Sequence, residues 1–345
     1  MSNGVHAMSA SMFITIVLVL AGLSVSGGPA TRLNQEEYVW QLLVADPGFS
    51  KTYNYQLFAG ADRIYAFHPD GVLESRDGKV WHRTGLADIV DNQAFLDYVA
   101  FTGAVYALGT FRGNIDRFTQ TSQIARTTDF RNWEVVAKES NLPRRFFYHP
   151  FVFQGKIWIV GGADSAGMFD DAWVSKDAIR WEKAAEHLPF GKRAGQRFVV
   201  FEEKLFMLDH DAWVSPDGVT WRRLTPKIAD GNIFGYSAEV FDGKIWLIGC
   251  SRDGTFRSEV LTSRDGKNWQ AERAPWSPRG GVATCVFGDR LIMTGGKYGG
   301  PGSRVRQNSS TAMMCGGWRR RGRNPPNRGG AFIQNFPSER DVYPP

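Results

Sequence analysis

Cysteine is scarce. The 345 residues hold three, Cys250, Cys285 and Cys315, with no C-x-x-C spacing. That supports neither a disulfide framework nor a zinc site, and Cys250 and Cys285 read as small apolar residues on buried strands. The chain also lacks a nucleophile elbow, a glycine-rich phosphate loop and any zinc motif, so no cofactor or metal is expected. Asp209-His210-Asp211 reads as a solvated loop, because three consecutive residues rarely converge on one ion. No convincing helical periodicity runs through the sequence. A basic body is missing too. The net charge is +6, yet eight arginines against Glu339 and Asp341 beyond residue 300 account for all of it. The rest is formally neutral, so no nucleic acid partner is expected.

Long apolar runs are limited to one, residues 12–25, MFITIVLVLAGLSV. It falls short of the roughly 20 residues a bilayer-spanning helix needs. Small residues follow at 26–30, SGGPA, which is the layout of a secretory signal peptide with cleavage there. The stretch before the run, MSNGVHAMSAS, carries no Lys or Arg, which leaves a retained anchor as the alternative. Residues 1–30 are therefore expected to be a leader, and the protein to be secreted, periplasmic or at the cell surface. Membrane contact is expected only through an uncleaved leader, and the mature protein is expected to be a monomer.

What is present is a repeat. Ser or Thr, one residue, Asp, three residues, then Trp recurs as Ser75-Asp77-Trp81, Thr127-Asp129-Trp133, Ser175-Asp177-Trp181, Ser215-Asp217-Trp221 and Ser263-Asp265-Trp269. Successive tryptophans lie 52, 48, 40 and 48 residues apart, a period that marks propellers and solenoids. Each unit opens with two apolar strands around a tight turn, as in FVFQGKIWIVGG (151–162) and EVFDGKIWLIG (239–249). A third strand, DAWVS, leads into the Ser-x-Asp turn at 171–175 and 211–215, and a fourth begins near the Trp. Four short strands per period describe a propeller blade. The repeated Asp and Ser side chains suit turns that cap their own backbone, and the Trp suits a wedge against that turn. A carboxylate present in every repeat is not expected to be a single active site.

The inner-strand sequences FVFQGKIWIVGG and FDGKIWLIG, with DDAWVS as third strand, resemble the Kelch-type β-propellers. The turn SRDGKNW (263–269) is similar to the Asp-box of sialidase-like propellers, one residue short. The resemblance covers about 38–296 and implies an all-β propeller at 38–299, most simply six four-stranded blades. Trp40 reads as the outer strand of the last blade, so that the N-terminal strand would close the ring. A seventh blade is the alternative. Among activities in these families, copper oxidation of the galactose oxidase type needs two His and two Tyr with a cross-linked Cys. The six histidines here offer no such pair. A sialidase would use three arginines with a Tyr–Glu pair, and no motif fixes them. An exported sialic acid epimerase is the nearest enzyme, with no catalytic residue matched position by position.

Ligands of propellers enter at the channel mouth, where the innermost strands begin. Aligning units on the Phe before each tight turn (101, 153, 201, 241, 287) places Arg145, Arg193 and Arg279 eight residues upstream. Four upstream stand Asp97, His149 and Arg197, and five upstream Tyr148, Gln196 and Tyr236. Arg145, His149, Arg193, Arg197, Tyr236 and Arg279 are thus the candidate ligand set. Arg suits a carboxylate and Tyr a sugar face, so an acidic sugar or glycoconjugate is the expected partner. Two alternatives remain: a sugar mutarotase or epimerase using the same set, and a scaffold binding proteins through its loops. The arginines could equally tie blade to blade.

After Gly295-Gly296 the expected third strand of the last blade, something like Asp-Val-Trp, does not appear. Residues 300–345 instead read as a basic disordered tail rich in Arg, Gly and Pro, with a glycosylation sequon at Asn308. The codons of Met313-Met314-Cys315-Gly316, read from the third base of Met313 with TGT for Cys, spell Asp-Val-Trp. A frameshift between about 296 and 312 is therefore expected. Resequencing the locus should reveal it; an intact mass of the purified protein that matches the present tail would refute it.

Overall fold

The computed structural model describes residues 38–53, 55–85, 97–114, 117–298 and 315–320. The proposed leader, the sequon and residues 321–345 lie outside the described residues. The described chain is all β, with no helix among the described residues. It forms six four-stranded antiparallel sheets. Four are built from consecutive strands, at 56–85, 98–137, 151–185 and 197–225, and the fifth, at 237–273, is interrupted by two short strands of another sheet. The sixth has the order Ala283–Phe287, Arg290–Thr294, Cys315–Arg320, Tyr38–Val44. Both ends of the described chain therefore meet in one sheet, with Trp40 opposite Trp318 in the backbone register.

The third strand of that sheet corrects the sequence reading. The slot expected to be lost is filled by Cys315–Arg320, which pairs Trp318 with Leu291 on one side and Trp40 on the other. Two glycines there, Gly316 and Gly317, carry no side chain, so periodicity could not reveal the strand.

The hairpin turns follow from local chemistry. Gln154-Gly155 and Asp242-Gly243 take φ of 49°, 69°, 47° and 67°, the left-handed pair that matches strand twist in a two-residue turn. Where the second strand ends, Gly161 (φ 63°) is required by space as well. A Cβ there would stand 2.6 Å from the Arg193 carbonyl oxygen.

The repeated turns form as their residue types dictate. In the third sheet Asp177 Oδ1 accepts from the backbone N–H of Ile179 (2.9 Å) and Arg180 (2.8 Å), and from Ser175 Oγ (3.1 Å). Trp181 Nε1 donates back to the Ala178 carbonyl at 3.1 Å. The same indole bond recurs at Trp81, Trp221 and Trp269. Trp133 departs from the set: its buried Nε1 has no partner.

The core is divided rather than single. Six apolar clusters lie between neighbouring sheets: Phe67 with Val105, Leu108 with Ile157, Val160 with Leu205, Leu208 with Ile245, Ile248 with Met293, and Ile292 with Ile64; a small seventh, Ala107 with Ala125, lies within the second sheet. The innermost strands touch in the same succession. Gln56 of the first sheet also bonds both backbone groups of Tyr98 in the second. Contacts therefore pass from sheet to sheet and return to the first, leaving a space between the inner strands.

Three features outside the repeat matter for that space. A long hairpin, Ala104–Asn114 with Arg117–Thr127, extends the second sheet. A small sheet joins Ile233–Phe234, Ser251–Arg252 and Thr255–Phe256, and Arg279–Gly280 pairs with Lys297–Tyr298.

Trp181 is 3% exposed and packs between two sheets, so Trp181→Ala should cost about 3–5 kcal/mol in denaturant unfolding. The turn carboxylates add an acid-sensitive component. Backbone N–H donation, chiefly from Asn132, holds Asp129 far below the usual range. For Asp265 burial pulls upward, but donation from Asn268 and Lys267 outweighs it and leaves the carboxyl at about 2. A depressed carboxyl stabilises the fold above its unfolded pKa near 4 and ceases to do so as pH falls through the folded value. Melting temperature should therefore fall between about pH 4 and 2, and the fall should be shallower in Asp265→Asn.

Candidate functional site

A cavity of about 370 Å³ opens between the innermost strands. Every sheet contributes. The first supplies Gln56, the second Asp97, the third His149, the fourth Arg197, the fifth Ser237 and Glu239, and the sixth Thr284. Gln56, Arg197, Ser237 and Thr284 lie in the first two residues of an inner strand, Asp97 and His149 just before one, and Glu239 two residues after Ser237, where alternation returns a side chain to the same face.

The polar groups form two hydrogen-bonded clusters. Arg197 Nη1 donates to Asp97 Oδ2 at 3.2 Å and Nε to the Tyr236 carbonyl at 2.9 Å. His149 Nδ1 lies between Asp97 Oδ2 and Arg197 Nη1, in contact with both. In the other cluster Glu239 Oε1 accepts from Thr284 Oγ1 at 2.7 Å, and Thr284 Oγ1 meets Ser237 Oγ at 2.5 Å.

Burial sets the charge states. It pushes Glu239 up to about 7, against the Thr284 hydrogen bond and the Arg197 charge that pull it down. It lowers His149 well below the ordinary imidazole value, and the Arg197 cation lowers it further. Arg197 is brought down to about 10 by burial, so it stays cationic at neutral pH. Among its lining groups the cavity thus presents the Arg197 cation paired with Asp97, a neutral imidazole, and a carboxyl that changes charge near pH 7.

Aromatic side chains frame the mouth. Tyr53, Phe147, Phe234 and Phe256 line the cavity, joined by Lys297.

Of the six residues singled out from sequence, His149 and Arg197 reach the cavity. The other four do not line it, which corrects their reading as ligand contacts at the channel mouth. Arg145 is 2% exposed and forks onto Asp171 (2.7 and 3.2 Å), with a third bond to the Gly161 carbonyl. Arg193 forks onto Asp211 (2.5 and 3.1 Å) and also reaches Asp209. Arg279 is fully buried and donates to the Gly295 carbonyl and to Ser277. Tyr236 points its hydroxyl at the Leu208 carbonyl of the neighbouring sheet, 2.9 Å away.

The sequence alignment had placed Asp97 in register with His149 and Arg197 without singling it out. Glu239 and Thr284 were missed. The available signal was period two: Glu239 shares a face with Ser237, two residues earlier on the same inner strand.

The Asp209-His210-Asp211 triplet also departs from expectation. Its ligand atoms do converge, within 4.8 Å of one another. Arg193 and Arg223 already pair with these carboxylates, at 2.5 to 3.1 Å. A cation there would face two guanidiniums, so the donor set does not suit a metal.

No family model and no curated protein matches this chain. Solved structures do. One is that of YjhT, with a TM-score of 0.63 over 77% of this chain and 94% of that one, at 11% sequence identity. A likeness at that identity speaks to fold alone, and it supports a propeller-like arrangement of the β-sheets.

The two kinds of arginine should separate experimentally. Arg193→Ala takes the bidentate fork from the fully buried Asp211, which keeps Arg223 and the Trp213 indole, and should cost about 1.5–3 kcal/mol in chemical denaturation. Arg197→Ala, at the wall of an open cavity, should cost clearly less.

Proposed function

We propose that the protein is an exported, six-bladed, Kelch-like propeller that binds an acidic sugar or glycoconjugate in its axial cavity. The observation that carries this reading is Arg197, a cation on the cavity wall whose guanidinium is oriented by the Asp97 carboxylate. Its Nε is committed to a backbone carbonyl and its Nη1 to Asp97, which fixes the direction of the guanidinium. A ligand carboxylate can approach the remaining edge. Ser237, Thr284, Gln56 and His149 offer donors and acceptors to ring hydroxyls. The N-terminal apolar run supports export, and six sheets in contact succession support six blades.

A specific feature favours a second reading, a sugar mutarotase or epimerase. Glu239, held near 7, exists in both protonation states at neutral pH. It lines the same cavity as neutral His149. Opening a cyclic sugar requires removal of the anomeric hydroxyl proton and delivery of a proton to the ring oxygen, and such a pair can do both.

Thermal shift assays with neutral and acidic sugars test the binding reading. Acidic sugars such as N-acetylneuraminic or galacturonic acid should raise the melting temperature by several degrees, with neutral sugars inert. Arg197→Ala should abolish the shift. Equal shifts with neutral sugars, or a shift that survives in Arg197→Ala, would refute the site. For the second reading, anomer exchange of N-acetylneuraminic acid followed by NMR should be accelerated by the protein. Glu239→Gln should lose the acceleration while keeping the thermal shift.

A further inference from the structure

The mouth of the cavity is built differently from its floor, and the difference bears on how large the ligand is. Phe234 is 55% exposed although it lines the cavity. Its position is fixed. It pairs with Ser251 in the small sheet, whose turn is braced by Asp253 accepting from Asn232 N–H at 2.9 Å. Arg252 of the same sheet forks onto Glu259 at 2.5 and 2.9 Å.

Phe147, beside it on the rim, holds a left-handed φ of 54°, a conformation that costs a non-glycine residue energy and persists only when its surroundings impose it. They do so here. Its carbonyl accepts from Gly195 N–H at 2.7 Å. Its ring packs edge-on against Phe146 at 5.2 Å, and Phe146 packs in turn on Phe111 and Phe118 of the long hairpin. Between the two phenyl groups lies Gly195, where a Cβ would stand 3.1 Å from the Phe234 ring. Phe147, Gly195 and Phe234 make one continuous apolar lip outside the polar floor.

We infer that this lip is a second subsite, which stacks on the sugar unit glycosidically linked to the acidic sugar in the cavity. The ligand is then the acidic end of a longer glycan rather than a free monosaccharide. Continuity decides the occupant. The lip is joined to the cavity that holds the carboxylate-binding Arg197, and exposed aromatic faces next to a hydrogen-bonding floor match the apolar face of a neighbouring pyranose. This inference rests on the axial site proposed above.

Calorimetric titration with matched pairs tests it: galacturonic acid against its α1,4-linked dimer, and N-acetylneuraminic acid against its 3′-linked lactose glycoside. The longer member of at least one pair should bind about 3- to 10-fold tighter. Phe234→Ala should erase that advantage while leaving the monosaccharide affinity unchanged, and Phe234→Trp should preserve it. The exposure of Phe234 makes a folding defect in these variants avoidable, and a melting curve checks it. Equal affinities within both pairs, or an advantage that survives Phe234→Ala, would overturn the inference and leave the axial site standing. Failure of all four sugars to bind would overturn both.

Discussion

The structure depends on each sheet having a neighbour. A four-stranded sheet with apolar side chains on both faces cannot stay in water alone. Here every such face is covered by the next sheet, and six apolar clusters lie between sheets rather than within them. Buried polar ties add to this packing, within a sheet and between sheets. Arg145 and Arg193 clamp strand ends through carboxylate forks, and Tyr236 crosses to the Leu208 carbonyl. Breaking such a tie leaves a buried charge or carbonyl without its partner, which costs more than the contact itself contributes. This arrangement leaves the axis open, and the axial cavity is a consequence of sheets that pack against one another side by side.

Function then depends on which inner-strand residues face that space. The floor departs from the apolar rule of the blades at a few positions: Asp97, His149, Arg197, Ser237, Glu239 and Thr284. Each would be a defect in a packed core. Grouped around a cavity, they form one ionic cluster and one hydroxyl–carboxyl cluster, and burial moves Glu239 to a value where its charge is adjustable. A cation and a carboxyl of adjustable charge thus line one space.

Much of the blade architecture was legible in the sequence, because local chemistry writes it there. Gln154-Gly155 and Asp242-Gly243 announce hairpins, and the Ser-x-Asp turns announce their caps. Trp40 was legible as part of an outer strand. The strand at Cys315–Arg320 was not, since its glycines erase alternation. The site was half legible. The alignment brought out His149 and Arg197 because both sit four residues before a repeat Phe. Arg145, Arg193 and Arg279 share an equally regular spacing, yet they serve the blade itself: a residue repeated in register more readily makes a repeated structural bond. Glu239 was hidden by the opposite property, since it occurs in a single blade. Phe147 and Phe234 lie in connections whose geometry no repeat specifies.

The most direct measurement is a crystal structure of the protein soaked with N-acetylneuraminic acid or galacturonic acid. The account predicts ligand density in the axial cavity, with the sugar carboxylate within hydrogen-bond distance of the Arg197 guanidinium and Arg145, Arg193 and Arg279 still bonded as before. A carboxylate bound by those three arginines, or by any surface away from Arg197, would contradict it.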